Sequence, residues 1–303
     1  MPTFSKRLKR NATYSFALLS IWILNLLPRK LALWFGTLIG WLAWRLIPRD
    51  RANIDRNLTL VYGDKFSLKE KRGIGRSFFI NTGKNLVDAV RFKRHYRRQI
   101  APLVEVEGLE YFDQAYQAGK GLIGVTGHIG NFELLAVHIA SLGYEIAVIG
   151  REMYDPRLDR LLVENRTAMG LTNIATTESP KRTLQWLRSG RAIGVLIDTD
   201  SMRVRNMFVP FFGIPAATPV ALTNIGLRVG AAFLPMACVR ISGDRYKIVI
   251  HPPVEKTRTD DSESDVYNVT LLCNKALEQI IDQHRDQWIW LHNRWNSKPE
   301  NRA

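Results

Sequence analysis

Short apolar runs alternate with helical segments along the second half of the chain. The runs "GLIGVT", "EIAVI" and "AIGVLI" begin at residues 121, 145 and 192, and two longer ones, "AAFLPMACVR" and "YKIVIHPPV", follow. Their length and their content of Ile and Val are typical of buried strands. Helical segments with cap residues, from Phe132 to Leu142 and after Asp155-Pro156, separate them. The alternation predicts an α/β fold with a mixed, largely parallel central sheet flanked by helices.

Helices are also predicted before and after this region. The segment from Ser67 to Phe92 has apolar residues at helical spacing, and Ser67 with Glu70 has the pattern of a capping box. The Pro/Gly-rich stretch "VPFFGIPAATP" is predicted to be a connection, with Thr218 capping the helix after it. No linker or internal repeat interrupts residues 51–303, which we interpret as a single domain.

Residues 1–50 differ from the rest and are interpreted as a membrane anchor. A basic start leads into an uncharged apolar segment from Tyr14 to Leu27, and no cleavage site follows it. The segment is shorter than the roughly 17–25 residues of a spanning helix, but basic ends can extend it, and we favour an N-terminal membrane helix over an interfacial one. The next segment, Leu31 to Pro48, holds several Trp residues and is predicted to lie along the membrane surface. A core helix packed on the domain is the alternative for that segment.

The net charge is strongly positive. The 43 Lys and Arg residues against 28 Asp and Glu residues leave a charge of +15, which attracts nucleic acid, anionic lipid head groups or an acidic carrier protein. The sequence has no helix-turn-helix, RNA-binding-sheet or zinc-finger signature, so nucleic-acid binding is the less favoured interpretation. Cys238 and Cys273 lie in apolar surroundings and are predicted to be buried and unpaired.

The stretch "VTGHIGNFELLAVH" places His128 after an apolar run and Glu133 at the start of a helical pattern. On one uninterrupted helix these side chains would point about 140° apart, so they meet only across a turn between strand and helix. Gly127 and Gly130 give that turn its conformational freedom, and Asn131 is a natural N-cap. In such a turn a carboxylate can orient a histidine that accepts a proton from a substrate hydroxyl.

Two other interpretations of this stretch remain open. A backbone carbonyl can satisfy the histidine while Glu133 complements the positive end of its helix. A zinc site is less favoured, because His128, Glu133 and His138 lack the His-Glu-x-x-His spacing and no cluster of Cys and His is available. We therefore expect no metal and no cofactor.

Several motifs follow one another along the chain: "RANIDRNLTLVYGD", "GKGLIGVTGHIGNFE", "VIGREMYDPRLDRLLVENR", "GVLIDTD", "FVPFFGIPAATP", "LPMACVR" and "WIWLHNRW". With the apolar N-terminus, they are similar to the late acyltransferases of bacterial lipid A biosynthesis, the lauroyl and myristoyl transferase group. The His-x-x-x-x-Asp/Glu motif of that group corresponds to "HIGNFE" here. Collinear motifs over nearly the whole chain make the resemblance specific, whereas the His-x-x-x-x-Glu pattern alone is weak.

The resemblance implies roles for individual residues. His128 corresponds to the catalytic histidine, Glu133 to its acidic partner, and Arg151 to an arginine near a substrate phosphate. A surface ion pair with an acidic neighbour is the alternative for Arg151. Asp198 and Asp200 either hold a basic partner such as Arg151 or simply form a turn. The expected substrate-binding residues are thus Asn131, Arg151, Asp198, Asp200 and Thr218.

The resemblance also implies a fold like that of glycerolipid acyltransferases and an O-acyltransferase activity. A fatty acyl chain would pass from acyl-carrier protein to a hydroxyl of a lipid A precursor, with His128 as general base and no covalent acyl-enzyme. The implied location is the bacterial inner membrane, with residues 51–303 as a catalytic domain facing the cytoplasm.

The partners follow from the same resemblance, and two alternatives stand beside it. The implied partners are acyl-carrier protein, a membrane glycolipid acceptor and the inner membrane, with no nucleic acid. Another lipid acceptor, such as a lysophospholipid, an ornithine lipid or a mannosylated lipid, is the nearest alternative. A basic, membrane-peripheral nucleic-acid-binding protein is the alternative from outside the enzymes.

Overall fold

Helices build the first third of the protein. The computed structural model describes residues 4–178, 180–200, 204–256 and 259–299. The helices of this part are Phe4–Leu26 (α1), Arg29–Leu46 (α2), Pro48–Tyr62 (α3), Leu68–Val90 (α4) and Phe92–His95 (α5), followed by a π-helical turn, Tyr96–Ile100. The predicted capping box at the start of α4 is confirmed, because Ser67 and Glu70 each accept a hydrogen bond from the other's backbone N–H.

Close backbone contact fixes α2 on α4. A Cβ atom at Gly36 would lie 2.8 Å from the carbonyl oxygen of Gly83, and one at Gly40 would lie 2.3 Å from that of Phe79. Because only glycine allows such an approach, one side of α2 is a packed core surface, as the alternative interpretation of this segment expects. The other side exposes large apolar side chains, among them Trp34, Ile39 and Trp41.

The predicted N-terminal membrane helix is not confirmed. Among the residues that the structure describes, no helix taken alone has both the length and the apolar character needed to cross a membrane. Residues 29–46 and 48–65 meet this test only as a pair, and the pair is bent by 85°. α1 and α2 nevertheless expose apolar side chains, with Phe16 72% and Trp22 56% exposed.

The central sheet has the predicted mixed, largely parallel architecture. The strands of the described chain are Val104–Glu107 (β1), Leu122–Thr126 (β2), Ile146–Gly150 (β3), Thr172–Ala175 (β4), Ala192–Leu196 (β5), Asn206–Phe211 (β6), Ile214–Pro219 (β7), Ala232–Ile241 (β8) and Arg245–Ile250 (β9). The sheet has the strand order β1-β9-β8-β2-β5-β3-β4. β8 and β9 pair antiparallel, and the other neighbours pair parallel.

The stretch predicted to be a connection is instead a β-hairpin. β6 and β7 pair antiparallel, with Phe211 opposite Ile214. The two residues between them, Phe212 and Gly213, have φ of 52° and 73°, as a tight two-residue hairpin turn requires. Thr218 consequently lies in β7 and does not cap the following helix, whose N-cap is Val220.

The remaining helices cover both faces of the sheet. They are Leu109–Gln117 (α6), Phe132–Ser141 (α7), Pro156–Ala168 (α8), Pro180–Arg188 (α9), Ala221–Val229 (α10) and Ser262–Gln283 (α11). Successive residues of β2 alternate between two apolar cores, Leu122 in the core that contains Leu135 of α7 and Ile123 in the core that contains Leu277 of α11. The sheet therefore separates two cores, as the side-chain alternation of a strand requires.

The order of the strands brings two distant segments together. β2 and β5 are parallel neighbours, with Thr126 opposite Leu196. Their carboxyl ends therefore lie at the same edge of the sheet, where open α/β sheets commonly bind their ligands. His128 follows β2 at this edge, and Asp198 follows β5.

Candidate active site

His128 is bound by Asp198, not by Glu133. Nδ1 of His128 lies 2.8 Å from Oδ1 of Asp198, and the backbone N–H of His128 donates to Oδ2 of the same carboxylate at 2.6 Å. The prediction that Glu133 is hydrogen-bonded to His128 is therefore wrong. With Nδ1 occupied by Asp198, Nε2 is the ring nitrogen left for a substrate.

The environment of the pair sets its protonation. Asp198 is fully buried and also accepts a hydrogen bond from the indole N–H of Trp288 at 2.9 Å. Burial lowers the pKa of His128, but the charge of Asp198 and its hydrogen bond outweigh this effect and raise the pKa above 6.5. Burial would raise the pKa of Asp198, yet His128 and Trp288 hold it below its ordinary value. The geometry is that of a base held by a buried carboxylate.

Glycine is required at two positions of the turn that carries His128. A Cβ atom at Gly127 would lie 2.7 Å from Oδ2 of Asp198, so the missing side chain lets the carboxylate reach the turn. Gly130 has φ of 57°, and its Cβ would lie 2.0 Å from the carbonyl oxygen of Cys238 in β8. The predicted freedom of this turn is thus used to pack it against the end of β5 and against β8.

A polar clamp from α4 and β9 holds the other side of the turn. The side-chain amide of Asn85 donates to the carbonyl oxygen of Gly130 at 2.9 Å. Asn131 caps α7 as predicted, accepting from the N–H of Leu134 at 3.0 Å, and its amide donates to the hydroxyl of Tyr246 at 3.2 Å. These bonds connect the turn to the helical N-terminal part of the chain. Asn131 therefore has a positioning contact, while its expected contact with substrate stays untested.

Glu133 pairs with Arg166 of α8. The guanidinium group donates to both carboxylate oxygens, with Nε 2.9 Å from Oε2 and Nη2 in contact with Oε1. The pair is bidentate, an arrangement that fixes the plane of both groups. Glu133 is the second residue of α7, and its side chain pairs with Arg166 of α8. His128 pairs instead with Asp198, which follows β5.

A largely apolar cavity lies beside this ion pair. It lies between α7 and the facing side of β2, β5 and β3 and is open to solvent. Gly124 and Gly194, which are opposite each other in register, leave its floor without side chains. The charged residues of its wall are Glu133 and Arg166. Phe132 also lines the cavity, and its ring lies 5.3 Å from that of His128.

Of the other expected site residues, Arg151, Asp200 and Thr218 form no hydrogen bond or ion pair with His128. Arg151 is exposed and forms no ion pair or hydrogen bond within the described chain, so the expected pairing with Asp198 or Asp200 is wrong. The carboxylate of Asp200 accepts from the N–H and hydroxyl of Ser297, at 2.7 and 2.9 Å. Thr218 accepts from the buried guanidinium group of Arg294 at 2.6 Å. Asp200 and Thr218 thus have structural partners here.

Four residues around the turn were missed from the sequence: Asn85, Arg166, Tyr246 and Trp288. Arg166 and Trp288 belong to the motifs "VIGREMYDPRLDRLLVENR" and "WIWLHNRW", so the signal was present but pointed to no particular residue. Asn85 and Tyr246 stand in unremarkable helix and strand patterns. Their role depends on tertiary contacts that the pattern does not contain.

Known proteins resemble this chain over most of its length. The profile of the family described as "Bacterial lipid A biosynthesis acyltransferase" matches residues 1–297. The chain is 26% identical to the lipid A biosynthesis lauroyltransferase of Escherichia coli (strain K12) over 282 residues. The matched stretch covers 92% of this chain and 90% of that protein. The chain is 22% identical over 194 residues to the phosphatidylinositol mannoside acyltransferase of Mycobacterium tuberculosis (strain CDC 1551 / Oshkosh), covering 63% and 59%. A solved structure, the 1-acyl-sn-glycerophosphate acyltransferase PlsC from Thermotoga maritima, is 14% identical with a TM-score of 0.41, covering 86% of this chain and 99% of that one.

Proposed function

Because the chain belongs to the family of bacterial lipid A biosynthesis acyltransferases, we propose that it transfers a fatty acyl chain from acyl-carrier protein to a hydroxyl of a lipid A precursor. The catalytic domain, residues 51–303, works at the cytoplasmic face of the inner membrane, where carrier protein and lipid meet. The charge of +15 supports this assignment, since carrier protein, lipid phosphates and membrane surface are all negative.

The observation that carries the proposal is the dyad of His128 and Asp198 at the end of β2. Nε2 of His128 accepts the proton of the acceptor hydroxyl while the hydroxyl oxygen attacks the thioester carbonyl. The carbon–sulfur bond then breaks, and the thiolate of the carrier takes up the proton from the imidazolium. Asp198 orients the ring and stabilises its positive charge, so no acyl-enzyme is needed.

The cavity beside the dyad supplies a site for the acyl chain. Its walls are apolar, and Glu133 with Arg166 are its charged residues. A chain inserted along β2 would bring its thioester near Arg166, whose positive charge favours the negative charge that develops on the carbonyl oxygen. Glu133 thus contributes by fixing Arg166 rather than by orienting His128.

A second candidate acceptor is a different membrane glycolipid. Similarity to a phosphatidylinositol mannoside acyltransferase supports this alternative, because the same dyad can activate a hydroxyl of another lipid.

An acylation assay with a panel of acceptors tests the proposal. The full-length protein is supplied with acyl-carrier-protein thioester and with a lipid A precursor, a lysophospholipid, an ornithine lipid or a mannosylated lipid. We expect mass spectrometry to show one added acyl chain on the lipid A precursor. The His128→Ala variant should be slower by about 10² or more, the usual contribution of a general base. Acylation of another lipid alone would replace the proposed acceptor, and full activity of His128→Ala would reject the mechanism.

A further inference from the structure

A second pocket lies at the bend between α2 and α3, and we call it the elbow pocket. Trp44 and Arg45 come from the last turn of α2, Arg51 and Asp55 from α3, and Arg72 from α4. The pocket is open to solvent. It has no lining residue in common with the cavity beside His128, so it is a separate site.

The three arginines of the elbow pocket make no direct contact with an acidic side chain, although the charges of Arg72 and Arg51 act on the carboxylate of Asp55 at longer range. Within the described chain, Arg45, Arg51 and Arg72 form no ion pair and no side-chain hydrogen bond. Two of them lie over aromatic rings instead, Arg45 at 5.4 Å from the ring of Trp41 and Arg51 at 5.7 Å from that of Trp44. Stacking of this kind holds a guanidinium group in place and leaves its N–H groups free to donate.

The local charge of the elbow pocket suits a dianion. Three arginines and the carboxylate of Asp55 leave a charge of +2. A phosphomonoester carries about −1.5 to −2 at pH 7 and offers three acceptor oxygens, which guanidinium groups bind in bidentate fashion. A phosphodiester has a single negative charge and would neutralise the pocket less completely.

Exposed apolar side chains flank the lining residues Arg45 and Pro48 along the chain, and we call them the rim. They are Trp41, Leu42 and Leu46 near the end of α2 and Ile47 at the bend. Leu46 is 74% exposed, the largest value among the exposed apolar residues of α2. Aromatic and basic residues beside exposed aliphatic ones are typical of the head-group level of a membrane. A freely soluble phosphate would gain nothing from such a rim.

We propose that the elbow pocket binds the phosphomonoester head group of a membrane lipid. The arginines hold the phosphate, and the apolar rim lies against the acyl region of the same leaflet. The site is independent of the acyl transfer proposed above, because binding there involves neither His128 nor the cavity.

Vesicle binding tests the proposal without any turnover. The full-length protein is sedimented with phosphatidylcholine vesicles containing either phosphatidic acid, a phosphomonoester, or phosphatidylglycerol, a phosphodiester. The two compositions are adjusted to the same surface potential, so that non-specific attraction cancels in the ratio of the two partition coefficients. We expect the ratio to favour phosphatidic acid by about tenfold, as bidentate charge-assisted bonds imply.

Matched variants assign the preference to the pocket. Arg45→Gln, Arg51→Gln and Arg72→Gln combined should bring the ratio close to one. The control combines Arg49→Gln, Lys69→Gln and Arg76→Gln, which are exposed, lie on α3 and α4 outside the lining of the pocket, and remove the same charge. It should keep the wild-type ratio. If the pocket variant does not fold, Arg72→Gln against Arg76→Gln gives the same comparison, since Arg72 has no aromatic contact to lose.

Other results would overturn the proposal. A wild-type ratio near one would mean that only the overall charge of the protein attracts it to the vesicles. Equal losses of preference in both combined variants would mean the same. Protection from thermal unfolding by inorganic phosphate, lost in the pocket variant while the wild-type ratio is one, would identify a site for soluble phosphate. If the pocket variant loses binding to acyl-carrier protein but keeps the wild-type ratio of partition coefficients, the elbow pocket is a protein-docking site instead.

Discussion

Two carboxylates lie near the turn that carries His128, and they differ in burial and in partner. Asp198 is fully buried and binds His128, whereas Glu133 keeps 18% of its side chain exposed and binds Arg166 at the cavity. Distance along the chain suggests the opposite assignment, because Asp198 is 70 positions from His128 and Glu133 only five. The partner of the histidine is therefore selected by the pairing of β2 with β5 and not by proximity in sequence.

The difference in burial separates two tasks. A fully buried carboxylate with several donors around it cannot turn away, so Asp198 suits the orientation of a base. Glu133 lies in the wall of the cavity and fixes an arginine there, so it suits the positioning of the acyl donor. Substitutions at the two positions should differ in size and in kind.

The largest effect is expected for Asp198→Asn. Loss of the carboxylate removes the group that holds His128 in one orientation and stabilises the imidazolium, so kcat should fall by about 10²–10⁴. The residual activity should also change its pH dependence. In the proposed mechanism His128 must be deprotonated to act, so wild-type activity should rise with pH through a pKa raised above 6.5. Without Asp198, burial alone lowers that pKa, and the rise should shift to lower pH.

Steady-state kinetics on the acidic side of the pH profile measure both the fall in kcat and the shift of the pKa. A variant such as Asp200→Asn is the control, since Asp200 binds Ser297 and not His128. Unchanged kcat in Asp198→Asn, with a large loss in Glu133→Gln, would reverse the assignment of the two carboxylates.

A smaller effect is expected for Glu133→Gln. Arg166 keeps its charge but loses its bidentate partner, so the thioester is held less well and kcat/KM should fall about 10-fold. The pH at which activity rises should stay where it is, because His128 keeps Asp198. Kinetics at several pH values distinguish this result from that of Asp198→Asn. A shifted pH profile in Glu133→Gln would connect Glu133 to the histidine after all.

Gly194→Leu tests the cavity in which Glu133 lies. A Cβ atom at Gly194 would have its nearest neighbour, Val148, at 3.8 Å, so a larger side chain enters open space. The shortened cavity should favour shorter acyl chains, and each methylene that no longer fits should lower the relative rate about fourfold, from about 0.8 kcal/mol per buried CH₂. Competition between donors of different length, read by mass spectrometry, measures this preference. Gly73→Leu, on α4 and without close neighbours, is the control; an unaltered preference in Gly194→Leu would place the acyl chain elsewhere.

The sequence predicted the sheet well where strands are long and apolar. β2, β3, β5, β8 and β9 begin within one residue of the predicted runs. β1 and β4 are short, and β1 alternates Val with Glu at one edge of the sheet, so they carry too few apolar residues to be recognised. The hairpin of β6 and β7 was hidden by its prolines and glycine, which are equally typical of a loop.

The candidate site was predicted in part for a related reason. The local features of the turn, its glycines and the cap by Asn131, are encoded within a few residues and were recognised. The partner of His128 depends on strand order, which periodicity does not contain. The same holds for Arg166, which reaches Glu133 from α8 across the edge of the sheet.

The smallest effect is expected at Asn85, where α4 meets the turn. Asn85→Ala removes the bond to the carbonyl oxygen of Gly130, so His128 loses part of its support and kcat should fall a few-fold with KM unchanged. Asn81, one helical turn earlier, contacts Asp286 at 3.4 Å and has no contact with the turn. Asn85 also accepts from the guanidinium group of Arg240 at 2.7 Å, so Asn85→Ala should lose more stability; Asn81→Ala should lose about 1 kcal/mol or less and leave kcat as it is. Thermal unfolding together with kinetics separates the two effects: if both variants lose activity in proportion to stability, Asn85 merely supports the fold, and the dyad of His128 and Asp198 needs no clamp from α4.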